Sequence, residues 1–364
     1  MTTTQVQSNQ KAQQLSASQR AFFFAQATRQ YIQPLPSQNF VEGQTLSWDL
    51  PKARFLSRIW ITVEGTFTAT NAVKSTFDTN VFDKYNILRR ISLSINNGYH
   101  PYSCSGISAY LYNLVNGYTK SPAPGNYNSE ILETNAGVAG SVNTVRFTLE
   151  LPVTINPRDT VGLILLQNEA TIVTLAVDCD QLKNILLPTD TDTILTNINL
   201  KVTPVLETFS VPAIPQAIPD FSILKLFQEQ KQNMVASGVV DIKLPTSLTY
   251  RKTIIYLAQD AIGNPIDPAD ISSFQLIFNQ ADIPYNIPAT WLQYKNNKDY
   301  QGALPPGAYC FDFSSQGIAN LGGGRDYIDT EKMTEFWLRI NFSQIQGNNS
   351  YVRIANEMLA QLKA

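Results

Sequence analysis

The chain contains one histidine, His100, so any Ser–His or Cys–His nucleophilic pair would have to use it. It stands beside Pro101, where a turn after a strand is expected, and reads as a turn or surface residue. "LGGGRD" (321–326) is glycine-rich but lacks the Gly-Lys-Ser/Thr ending of a phosphate loop and reads as a loop. "TDTDT" (189–193) offers Asp190 and Asp192 to a cation without the spacing of a calcium loop, which suits a solvated turn. Asp178 and Asp180 flank Cys179 at strand spacing and would share a face, but carboxylates for glycoside hydrolysis also need a cleft. Cys104, Cys179 and Cys310 lie far apart, with no Cys-x-x-Cys spacing, and read as small buried residues. "NFS" (341–343) and "NNS" (348–350) match the glycosylation pattern, which matters only in a secreted eukaryotic protein. No catalytic set, cofactor site or metal site is assigned.

The elements that would have to position such groups point elsewhere. At 364 residues the default is two domains. Hydrophobic residues make up 43% and charged residues only 15%, a composition suited to a surface partly covered by neighbours. The net charge of −2 gives no global case for nucleic acid, and no sequence-specific nucleic-acid binding is expected. No apolar run approaches the roughly 20 residues of a membrane-spanning helix, and "MTTTQVQSNQKAQQ" lacks the apolar core of a signal peptide.

Residues 1–17 are rich in Gln, Thr and Ser and bury nothing. "SQRAFFFAQATRQYI" (18–32) then reads as a helix capped by Ser18 and stopped by Pro34 and Pro36. Its face would carry Phe23, Phe24, Ala27 and Tyr31, with Arg20 at the edge and Phe22 turned away. Lys11, Arg20 and Arg29 precede the first acid, Glu42, which makes this a short basic amphipathic arm. It can pack on its own domain, on a neighbouring subunit, or on a membrane surface. Its contact residues are taken as Lys11, Arg20, Phe23, Phe24, Arg29 and Tyr31.

After the arm the pattern is β. "RIWITVEGTFTAT", "RRISLSINN", "TVRFTLELPVTI" and "TIVTLAVDC" precede a proline-rich stretch, and "KTIIYLAQ", "SFQLIFNQ" and "EFWLRINF" follow it. That stretch, "SVPAIPQAIPDFS" (210–222), holds Pro212, Pro215 and Pro219 and reads as a stiff strap. The two sides match in order. Leu50-Pro51 aligns with Leu244-Pro245, and Arg58 with Lys252. Asn96 aligns with Asn279, and Pro101-Tyr102 with Pro284-Tyr285. Two copies of one β-sandwich, with different loop lengths, are expected. The expected boundaries are 1–37 for a flexible arm, 38–210 for the first sandwich, 211–219 for the strap and 220–364 for the second. The stretches 116–143 and 286–307 are expected as long outer loops.

Three function classes remain: an assembly protein that tiles, a receptor- or carbohydrate-binding viral spike or β-sandwich, and, weakest for want of an acid–base set, a jelly-roll enzyme. The Gln-rich arm with "SQRAFFFAQATRQYI", the two β halves and the strap "VPAIPQAIP" together resemble the double jelly-roll major capsid proteins of tailless icosahedral viruses, especially membrane-containing phages of the tectivirus kind. The resemblance implies an all-β chain of two tandem eight-stranded jelly rolls with a short N-terminal helical arm, and no enzymatic activity or cofactor. It implies a homotrimer that forms a pseudo-hexagonal block of a virion shell, assembled in the host cytoplasm. Minor capsid or vertex proteins, and an inner viral membrane near the basic arm, are the further partners it implies. An arm lying outside both sandwiches should be removable, as residues 1–32, without unfolding the trimer.

Overall fold

The computed structural model describes residues 17–361 apart from 70–82, 97, 118–130, 134–139, 141, 156–159, 186–193, 214–217, 219–220, 235–237, 260–262, 280, 302–303, 315–326, 345–346 and 348. The first half runs α1 (Ala17–Ala27), β1 (Gln30–Pro34), β2 (Gln38–Asn39), β3 (Thr45–Asp49), β4 (Phe55–Ala69), β5 (Leu88–Ile95), β6 (Tyr99–Cys104), α2 (Gly106–Val115), β7 (Ile131–Glu133), β8 (Val142–Pro152), β9 (Ile164–Leu165), β10 (Val173–Cys179) and β11 (Leu195–Phe209). The second runs β12 (Ile223–Asn233), β13 (Val239–Leu244), β14 (Thr249–Ala258), β15 (Ile271–Phe278), β16 (Asp282–Pro288), α3 (Ala289–Asp299), β17 (Ala308–Asp312), β18 (Ile328–Asp329), β19 (Phe336–Phe342) and β20 (Tyr351–Gln361).

Alternation places the strands. Along β4, Ile59, Ile61 and Val63 are buried while Arg58, Trp60 and Thr62 face the other way. Three sheets result. One has the order β1-β11-β4-β8-β7, and a four-stranded sheet has the order β13-β19-β15-β16. The third, β17-β14-β20-β12-β6-β5-β10-β3, takes strands from both halves of the chain. The first roll closes its core between β4, β8 and β11 on one side and β5, β6 and β10 on the other. The second closes its core between β14 and β20 on one side and β15 and β19 on the other.

The topology repeats element by element. The order β1-β11-β4-β8 in the first roll corresponds to β12-β20-β14-β17 in the second, and β3-β10-β5-β6 corresponds to β13-β19-β15-β16. Pro51 and Pro245 thus lie between equivalent strands, and Tyr102 and Tyr285 lie on equivalent strands, β6 and β16. Asn96 and Asn279 both adopt left-handed backbone angles, φ 50° and 49°, in the turns after β5 and β15. Each also ties down the start of the strand next to its own. The Asn96 side chain accepts from Ile172 N–H at 2.8 Å, just before β10. That of Asn279 accepts from Thr334 N–H at 2.9 Å, just before β19. Asn suits both demands, because it tolerates this conformation and its short amide reaches nearby backbone.

Several elements differ from the sequence expectation. The N-terminal helix ends at Ala27, where Thr28 Oγ1 donates to Phe24 O at 2.7 Å. Residues 30–34 leave it to form β1, which pairs antiparallel with β11 from Gln30↔Phe209 to Pro34↔Val205. The edge of β11 offers these backbone groups partners that a continued helix could not, so this part of the arm belongs to the first sheet. His100 lies in β6 rather than in a turn. The stretch 286–307 is not one long loop, because it contains the end of β16 and all of α3. Much of 116–143, the centre of the strap, "TDTDT" and "LGGGRD" lie outside the described residues.

The repeated asparagine turns predict a specific pair of stability effects. Asn96→Ala and Asn279→Ala should each lower stability by about 1–2 kcal/mol, from a lost hydrogen bond and an unfavourable φ. The corresponding Gly variants should recover the conformational part. Urea midpoints of the four variants check this, and equal losses for Ala and Gly would show that φ contributes nothing.

Candidate functional site

The sequence-predicted arm residues do not form one face. Phe24 is buried against Phe55 and Phe209, with ring centroids 6.1 and 5.5 Å away. Phe22 and Phe23, on the same helix, are exposed. Arg20 lies in α1, and Lys11 lies outside the described residues. Arg29 follows the helix, its backbone N–H donating to Ser210 Oγ at 2.9 Å. Tyr31 belongs to β1, with the Arg54 guanidinium 3.7 Å above its ring. The described part of the arm is therefore docked on the first roll by one aromatic anchor and one strand, and does not lie outside both sandwiches.

The most elaborate constellation in the molecule lies where the rolls meet. β12 runs parallel to β6, pairing Phe227 with Tyr102 and Gln228 with Ser103. Fully buried Phe227 packs on Tyr112 (4.4 Å) and Tyr102 (5.8 Å). Two residues earlier, on the same side of the strand, buried Lys225 donates from Nζ to Pro152 O (2.6 Å) and Thr154 O (2.9 Å) in the first roll. Its ammonium lies 5.1 Å from the Tyr112 ring centroid. Glu229 accepts from Ser105 N–H (2.7 Å) and Oγ (2.6 Å) at the N-terminus of α2, and its other oxygen meets Arg353 at 2.6 Å. A carboxylate there suits the partial positive charge of a helix start. Lys252 of the second roll donates to Asn116 Oδ1 (2.9 Å), just past the end of α2, and sits 3.4 Å from Asp312.

Burial sets the electrostatics of this seam. It depresses the Lys225 ammonium to about 7, despite the opposing pull of Glu357. It likewise raises Glu150 to about 7, against the attraction of Arg58, which bonds it on the outer face of the first sheet. Burial would also raise Glu229, but Arg353 and Ser105 outweigh it and hold the carboxyl below its ordinary value. Among the described residues no group of His, Cys, Asp and Glu is arranged to hold a metal ion, and no helix is long and apolar enough to cross a membrane. His100 bonds to the seam through its backbone, its carbonyl accepting from Gln228 Nε2 at 3.2 Å. Asp178 is tied to Thr45 Oγ1 at 2.6 Å.

Sequence reasoning missed the two helices on this seam and its flank. Every residue of α2 is buried, so it carries no amphipathic stripe. In α3 the buried positions are Ala289, Leu292 and Asn296, a spacing of three and four that a closer reading could have found. The asparagines on the two helices do the same work. The Asn113 amide, oriented to suit its partners, donates to Glu150 O (2.7 Å) and accepts from Glu150 N–H (2.9 Å). Asn296 donates to Cys310 O and accepts from Cys310 N–H, both at 2.8 Å. Each seals the backbone of the equivalent strand, β8 or β17. The helices differ in exposure: α3 presents Trp291 and Tyr294, 51% and 70% exposed, to solvent.

No protein-family model and no curated protein matches the chain by sequence. Solved structures do match its fold over almost its whole length. The major capsid protein of Sulfolobus turreted icosahedral virus is similar with a TM-score of 0.66 at 15% identity, covering 92% of this chain and 97% of that one. The major capsid protein P2 of bacteriophage PM2 gives a TM-score of 0.56 at 11% identity, covering 92% and 98%. The Faustovirus major capsid protein gives 0.59 at 11% identity, covering 93% and 91%. The chain has the double jelly-roll fold.

Two predictions concern the anchors. Phe24→Ala should destabilise the first roll by about 3 kcal/mol, because it empties the contact that docks α1; a chemical-denaturation midpoint measures this. The pH dependence follows from the seam. Glu150 is ionised in both states above about pH 7 and protonated in both below its ordinary 4.5, so its contribution falls as pH rises between them. Lys225 is charged in both states below about pH 7 and neutral in both above its ordinary 10.5, so its contribution rises over that window. Their joint contribution is therefore lowest near pH 7. Glu150→Gln should flatten the acid limb of a urea-midpoint profile between pH 5 and 9, and Lys225→Met the alkaline limb.

Proposed function

We propose that this protein is a major capsid protein, whose copies associate as homotrimers and tile an icosahedral shell. The observation that carries this reading is the span of the fold match. Both rolls and the seam between them, more than nine-tenths of the chain, superpose on proteins whose own function is to form capsids. Composition supports it too, since only 15% of residues are charged and large lightly charged flanks need covering. Closed cyclic symmetry would cover those flanks without leaving a growing filament.

Within this reading the protein is a structural component of the virion rather than an enzyme, assembled in the host cytoplasm. Minor or vertex proteins complete the shell. An internal membrane beneath the shell would meet the N-terminal segment, where Lys11, Arg20 and Arg29 precede any acidic residue. Phe24 and β1 are docked on the first roll, so that part of the arm is not available for such a contact.

Sedimentation of the purified protein, followed by electron microscopy, tests the reading. The expected species is a trimer that forms shells or flat hexagonally packed sheets at raised concentration. Deleting residues 1–16 should leave the trimer folded and change only its further assembly. A stable monomer that binds glycans or a cell surface would instead favour a receptor- or carbohydrate-binding spike.

A further inference from the structure

The two rolls repeat, yet among the described residues only one of two equivalent docking troughs receives a strand. In the first roll the trough between β6 and α2 receives β12, with Phe227 seated on Tyr102 and Tyr112 and Lys225 on the carbonyls after β8. The equivalent trough of the second roll, between β16 and α3, is a cavity of about 280 Å³ lined by Tyr285, Trp291, Leu292, Lys295, Phe311 and Phe313 among others. Tyr285 occupies the place of Tyr102, and Lys295 the place of Tyr112, as the matched asparagines Asn113 and Asn296 fix the helix register. β16 ends its sheet and is exposed along most of its length, whereas β6 is covered by β12.

The missing plug is also present in the chain, at the far end. The strand equivalent to β12 is β1, which ends the first roll's sheet. Register identifies the counterparts. Phe227 stands opposite Glu357 on β20, and Ile32 stands opposite Glu207 on β11. Glu357 and Glu207 are themselves equivalent, paired with Lys252 and Arg58. Phe227 is fully buried, while Ile32 is 69% exposed. An apolar side chain thus projects from an open strand edge, and an apolar cavity lies beneath another open strand edge, on opposite ends of one chain.

We propose that β1 of one copy adds in parallel to β16 of a second copy, with Ile32 entering the cavity of that second copy. Ile32 then faces Tyr285, and Gln33 faces Asn286, as Phe227 faces Tyr102 and Gln228 faces Ser103 within the chain. α3 of the second copy would lie against the outer face of β4, around Trp60 and Thr62, as α2 lies against β14 inside the chain. The exposed Trp291 and Tyr294 would be covered there. The contact is head-to-tail, so repeating it either closes a ring or continues. It deepens the self-assembly reading above and rests on it.

A disulfide trap tests the register. Gln33 and Asn286 are both exposed, and the three native cysteines are buried. The double variant Gln33→Cys/Asn286→Cys should give covalent dimers and trimers on mild oxidation, and neither single variant should. Cross-linking by a single variant would indicate a two-fold contact and overturn the proposal, as would a disulfide confined to one chain. An uncross-linked double variant that still assembles sinks this contact and leaves self-assembly standing; a chain monomeric at every concentration sinks both. Ile32→Asp should keep its circular dichroism and lose the oligomer at concentrations where the native chain is fully associated. Normal assembly of that variant would overturn it.

Discussion

An open sheet edge is the constraint around which this molecule is arranged. A strand at the end of a sheet carries backbone N–H and C=O groups that need partners or water, and an apolar edge invites another strand. β6 meets that demand inside the chain by accepting β12, and one sheet thereby passes from the first roll into the second. The apolar face of the second roll's sheet, with Ile254, Tyr256 and Ala355, is drawn into the same core as the first roll. The two rolls are consequently one mechanical unit, and the strap between them need not hold them together.

The seam is expensive as well as extensive. Lys225, Glu229, Lys252 and Glu357 are all withdrawn from water, and each is held by a carbonyl, a hydroxyl or an opposite charge. Replacing such groups with hydrocarbons is often neutral or stabilising, while removing one partner is costly. Their directional bonds select one register of β12 against β6, since a slip would leave Lys225 facing apolar side chains without its two carbonyls. The internal repeat shows the same economy elsewhere: asparagine is retained where backbone must be sealed, at 96, 113, 279 and 296, while the apolar residues around it have diverged.

That pattern explains how the fold can be shared at 11–15% identity with viral capsid proteins. What must persist is strand order, inward apolar alternation and a few backbone seals, all of which many sequences satisfy. Because, among the described residues, one roll's trough is filled from within and the other is not, the chain is asymmetric although its halves are alike. That asymmetry leaves β1 and β16, equivalent in position to β12 and β6, as the end strands of two different sheets.

Much of this was legible in the sequence. Period-two alternation gave the β class, and Leu50-Pro51 with Leu244-Pro245 and Asn96 with Asn279 exposed the duplication, because turns and strand starts are local and keep their residue types. The arm was only partly legible: its aromatic run forms a helix, but Tyr31 went to a strand, since the edge of β11 outcompeted a further helical turn. β12 escaped notice because "ILKLFQEQKQN" places a lysine in its most buried stretch and a glutamate just beyond it, and no local signal says that carbonyls, Ser105 and Arg353 wait there from elsewhere in the chain. α2 escaped because a helix buried on all sides has no polar face to set its period. By itself the sequence determined the strands, their turns and the fact of repetition, all of which depend on neighbours a few residues away. Only the tertiary structure decided which edge is filled and which is left open, because that depends on surfaces brought together from opposite ends of the chain.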